Sequence, residues 1–131
     1  MAVPILNRKE LIDISAREEI MKATANQIIK DFAEFGFDIS FSGETANFHE
    51  ELFSQMELHV SNLITNHYSK FLAFLYRIDI SNKEIALYEN EMKGQPKSVV
   101  MTELIIHREI KKVLFRTYYS SQNSSNTNSN D

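Results

Sequence analysis

Residues 48–78 read FHEELFSQMELHVSNLITNHYSKFLAFLYRI. The stretch holds neither Gly nor Pro, and Leu52, Met56, Val60, Leu63, His67, Phe71, Phe74 and Ile78 recur at intervals of three or four. That period gathers apolar side chains on one helical face, so the pattern predicts one amphipathic helix over 48–78. It also carries three of the four histidines of the chain, which makes it the first place to look for chemistry.

Outward from this segment, the sparse glycines and prolines act as punctuation. Pro4 precedes a first helix, Gly36 and Gly43 bracket the next loop, and Gly94 and Pro96 bracket the last connection. This is the placement expected of helix ends. Asn7 with Glu10, Asn47 with Glu50 and Ser81 with Glu84 have capping-box spacing. Leu6 with Leu11 and Ile80 with Ile85 stand where hydrophobic staples pack. Four helices are predicted: Arg8–Phe35, Phe48–Ile78, Asn82–Lys93 and Pro96–Tyr119. Between the first two, Phe37, Ile39 and Phe41 alternate with polar residues. A lone run of that kind has no strand to pair with, so it is expected to be an extended loop that tucks aromatics against the helices.

The expected fold is all-α: a small helical bundle of three long helices and one short one, mostly antiparallel, forming one domain over 1–119. The first helix offers the seam Leu11, Ile14, Glu18, Met21, Ala25, Ile28, Phe32 and Phe35. The fourth offers Val99, Glu103, Ile106, Ile110 and Val113, with Val100, Leu104, His107, Leu114 and Tyr118 alongside. Faces this wide pack against more than one neighbour. Residues 120–131 are Ser/Asn-rich with no apolar residue. They cannot offset their ordering entropy by burial and are expected to be a disordered tail.

Composition narrows the function classes. The 131-residue chain has no cysteine, which removes disulfides and thiolate chemistry. It shows no nucleophile elbow, Walker loop or dinucleotide fingerprint. The N-terminal residues lack the pattern of a secretory signal. The densest apolar run, Phe71–Tyr76, falls far short of the roughly 20 residues that span a bilayer. A cytoplasmic protein that does not enter membranes is expected. Net charge is −4 but unevenly spread: residues 1–60 hold five Lys/Arg against eleven Asp/Glu, and residues 61–131 hold nine against seven. Such a split can mark an acidic or basic binding face; more often it reflects helices of opposite charge packing together.

Polar residues inside the apolar seams are the candidates for chemistry. Counting heights along antiparallel helices brings Glu18, His67, Glu103 and His107 to similar levels. Two carboxylates and two imidazoles are the donors a divalent metal accepts. Glu103 and His107 are spaced i, i+4, unlike the Glu-x-x-His of di-iron bundles, and His49-Glu50-Glu51 opens no HExxH motif. His49 lies about 27 Å along a straight helix from His67 and is expected at the bundle end. The competing reading of the four is a hydrogen-bonded interior network.

A second constellation is the run from His107 to Tyr119. Arg108, Lys111, Lys112 and Arg116 stand there against Glu109 alone, with Phe115, Tyr118 and Tyr119 interleaved. Basic and aromatic side chains so mixed can contact nucleic acid. Cations late in a helix also simply complement its dipole.

The leading expectation is an interaction module that binds a protein partner or itself, without catalysis and without a cofactor. Wide apolar faces and the off-seam aromatics Phe53, Phe115 and Tyr119 motivate it. A metal-binding bundle and nucleic-acid contact through the last helix are the alternatives.

Overall fold

Every residue from Val100 to His107 is buried, whichever way its side chain leaves the helix. Apolar side chains leave this segment in several directions, so it must be surrounded, and Thr102, Glu103 and His107 are buried among them. The computed structural model describes Lys9 and residues 17–129, with side chains through Thr117. Among the described residues the regular structure is entirely helical, with five α-helices: α1 Glu18–Ala33, α2 Phe48–Asn66, α3 Tyr68–Arg77, α4 Asn82–Glu91 and α5 Lys97–Ser129. Helix α5 packs against α1, α2 and α4. It, rather than the 48–78 segment, is the central element. The predicted Asn7 cap, its staple, and the seam residues Leu11 and Ile14 lie outside the described residues.

The predicted long helix is two helices. The backbone breaks at His67, with φ −143° and ψ 57°, between α2 and α3. Thr65, Asn66 and His67 are all weak helix formers, and tertiary contacts decide the matter. Beyond the break, Phe74 meets the rings of Phe32 at 4.8 Å and Phe35 at 5.1 Å, both edge-on. Phe71, Phe74 and Leu75 are buried there. The absence of Gly and Pro made the segment look continuous, yet burying these rings outweighs one lost helical residue.

The other joints follow local rules. Gly36, at φ 85°, ends α1, and the amide of Phe37 donates back to the carbonyl of Phe32 at 3.0 Å, closing a Schellman turn. Asp79 adopts the same left-handed region at φ 62° after α3, a conformation Asp tolerates better than most residues. Ser81 and Glu84 form the predicted capping box of α4. Asn47 does not cap α2 through its side chain, because it ends a short 3-10 turn over Thr45–Asn47.

The Phe37–Phe41 loop has no regular structure, with Ile39 buried. The amide of Gln55 takes the place of a partner strand. Its Oε1 accepts from the Ser40 amide at 2.9 Å, and its Nε2 donates to the Ser40 carbonyl at 2.7 Å. Phe37 stacks on His59 with ring centroids 4.6 Å apart. The backbone of α5 continues to Ser129, past the predicted end at Tyr119 and into residues whose composition suggested no fixed structure. Extending an existing helix needs no new nucleus.

Candidate functional site

The four seam residues named from sequence do not form one group. Glu18 is exposed on the first turn of α1 and pairs with Lys22 at 3.0 Å. His67 is exposed at the α2–α3 break. Glu103 and His107 do sit together, one turn apart on α5, with Oε2 and Nε2 3.4 Å apart. Among the described residues no set of three or more His, Asp or Glu is arranged to hold a metal ion. The height comparison failed because it assumed a straight helix through His67.

What surrounds Glu103 is a chain of polar groups. Helix α2 runs opposite to α5: His49 meets Glu103, and Glu57 meets Ser98. His49 Nε2 pairs with Oε1 of Glu103, while the imidazole of His49 stacks on Phe53. On the far side, Tyr88 Oη of α4 lies 2.8 Å from Nδ1 of His107. Glu103 and His107 are buried, whereas His49 is half-exposed. Burial pushes the Glu103 pKa up, but hydrogen bonds and charge from His107 and His49 outweigh it and bring it to about 2. Glu103 is thus a stable anion held between two imidazoles. The sequence places His49 at the bundle end and offers no sign of Tyr88, yet both belong to this network. The first became visible only with the true break in the helix, the second only with the α4–α5 pairing.

A second polar cluster joins α1 to α5. Lys112 Nζ lies 3.4 Å from Oδ2 of Asp31 and 3.2 Å from Oε1 of Glu109. Glu109 is fully buried, and neither of its oxygens has a well-directed hydrogen bond. Burial raises its pKa, the adjacent Asp31 carboxylate raises it further, and Lys112 offsets only part, leaving it at about 8. At neutral pH Glu109 is mostly protonated. One turn earlier, Arg108 donates to the Ile78 carbonyl at 3.2 Å and pairs with Asp79 at 3.0 Å. This fixes the corner between α3 and α4. On the α3 side of the same corner, Arg77 pairs with Glu34.

Beside this cluster runs a groove of about 560 Å³ lined by Gln27, Lys30, Arg108, Lys111, Lys112, Phe115 and Arg116. The basic run of the last helix supplies most of it. Lys30 and Gln27 come from α1, and nothing in the sequence linked them to that run.

The apolar surface lies elsewhere. Tyr68, Leu72 and Tyr76 follow one another at i, i+4 and i+8 on α3 and are all exposed, Tyr76 to 88%. The small exposed residues Ser69 and Ala73 lie beside them. Helix α3 therefore has an outer apolar stripe in addition to its buried face. Phe53, singled out from sequence, is instead engaged with His49, and Phe115 lines the groove.

Among the described residues, no helix is long and apolar enough to cross a membrane. No family model matches the chain, nor does any curated protein or solved structure.

Proposed function

We propose that this protein is a helical interaction module that pairs with a second copy of itself through the outer face of α3, in an antiparallel helical arrangement continuous with its own bundle. The observation that carries the reading is the Tyr68–Leu72–Tyr76 stripe. Large apolar side chains aligned on one exposed face mark a contact surface, and aromatic residues are enriched in such contacts. The stripe is symmetric about Leu72. A two-fold antiparallel pairing sets Leu72 against its own mate and each Tyr68 against a Tyr76, as an isologous interface requires.

Charge supports a like partner. Helix α3 contains two formal charges, Lys70 and Arg77. Lys70 Nζ sits 5.0 Å above the Phe37 ring, and Arg77 pairs with Glu34. Both are engaged within the chain, so little on the stripe repels an identical copy. Ser69 and Ala73 leave room for close helix approach. The Glu103 network ties α2, α4 and α5 together.

Cross-linking tests the reading directly. The natural chain has no cysteine, so Leu72→Cys introduces its sole thiol at the symmetry point. Mild oxidation is expected to convert this variant to a covalent dimer, while Leu87→Cys on α4 stays monomeric. Equal cross-linking of the two, or none at Leu72→Cys, would contradict the pairing.

A further inference from the structure

We propose that the groove between α1 and α5 binds a small polyphosphate of the nucleoside di- or triphosphate class. Five of its seven lining residues are cations: Lys30, Arg108, Lys111, Lys112 and Arg116. Two carboxylates balance this set, Asp79 on Arg108 and Asp31 on Lys112. Glu109 adds little negative charge while it carries its proton. Among the described residues no carboxylate lies within ion-pair distance of Lys30, Lys111 or Arg116. A surplus of about three positive charges remains, which suits a ligand of several negative charges better than a single carboxylate or monophosphate.

Geometry points the same way. The volume of about 560 Å³ falls within the roughly 300–1,000 Å³ usual for small-ligand sites. Arg108 and Lys112 are held in place by Asp79, the Ile78 carbonyl and Asp31, so binding loses less of their freedom. Among the described residues, the next cation toward the start of α5 is Lys97, about 17 Å along the axis from Arg108, the first cation of the groove. A nucleic-acid strand would find one patch rather than a path.

Calorimetric titration of the full chain with tripolyphosphate and with ATP tests this site. Both are expected to bind, and Lys30→Glu with Lys111→Glu is expected to weaken binding at least about tenfold. These residues lie on the protein surface or at its edge, and the variant is expected to keep the helical circular dichroism of the natural protein. The charge-matched control Lys83→Glu with Lys93→Glu, on and just after α4, is expected to bind as the natural protein does. Absence of binding, or an equal loss in the control, overturns the assignment. So does binding of a short single-stranded RNA without binding of tripolyphosphate or ATP. The readout is independent of self-association, so this site and the α3 interface stand or fall separately.

Discussion

Tyr88 Oη lies 2.8 Å from Nδ1 of His107, and the opposite nitrogen of the same ring lies 3.4 Å from the Glu103 carboxylate. One imidazole thus ties the short helix α4 to the central helix while facing an anion. This arrangement suits the tautomer with its proton on Nε2: Tyr88 donates to Nδ1, and Nε2–H faces Glu103. Tyr88→Phe removes the donor and leaves a buried ring nitrogen unsatisfied, at a cost of about 1–3 kcal/mol. Urea unfolding followed by circular dichroism measures it, and His107→Ala is expected to cost more because it also opens a cavity.

Glu103 contributes stability that acid removes. Its carboxyl falls from the ordinary 4.5 to about 2 on folding, so the folded protein holds that proton less tightly than the unfolded chain. The stability it contributes is complete above pH 4.5 and is lost as pH falls toward 2. Glu103→Gln is expected to lower stability at neutral pH and to flatten the acid limb of a stability-versus-pH curve.

Glu109 has the opposite sign. Its carboxyl rises from 4.5 to about 8, so the folded protein holds the proton more tightly than the unfolded chain does. Its contribution is complete below pH 4.5 and is lost as pH rises to about 8. Glu109→Gln cannot ionise. It is expected to flatten the decline of stability across this window and to be more stable than the natural protein above pH 8, by about 1–3 kcal/mol. Thermal melts across the range show whether the curves cross.

The break at His67 rests on what α3 buries. Phe74→Ala removes the ring that meets Phe32 and Phe35 and is expected to cost about 3–5 kcal/mol. Ser81→Ala, which takes one half of the α4 capping box, is expected to cost about 0.5–2 kcal/mol. The contrast tests whether the buried rings of α3 contribute more to stability than the cap of α4.

The helical nature of the chain and most of its joints were legible because they are local. Gly36, the Ser81 box and the alternating Phe37–Phe41 loop each depend on a few neighbouring residues. The break at His67 was not legible, since it turns on rings at Phe32 and Phe35 far back in the chain. The site suffered most from that error. A straight helix carries His67 inward and His49 away, whereas the broken one exposes His67 and sets His49 against Glu103. The adjacency of Glu103 and His107 came through, because i, i+4 spacing needs no tertiary knowledge. Tyr68, Leu72 and Tyr76 passed unnoticed beside the stronger pattern of Phe71, Phe74 and Ile78. A helix with two apolar faces shows its unpartnered one only after the other has been buried.

The central claim, self-pairing through α3, is tested most directly by light scattering coupled to size exclusion over a range of concentrations. Leu72 and Leu87 are each 49% exposed, so Leu72→Glu and Leu87→Glu make matched surface changes on different helices. The account predicts that the natural protein and Leu87→Glu approach the dimer mass as concentration rises, while Leu72→Glu stays at the monomer mass of 15.2 kDa. A natural protein that remains monomeric throughout, or a Leu72→Glu variant that dimerises as readily, would contradict it.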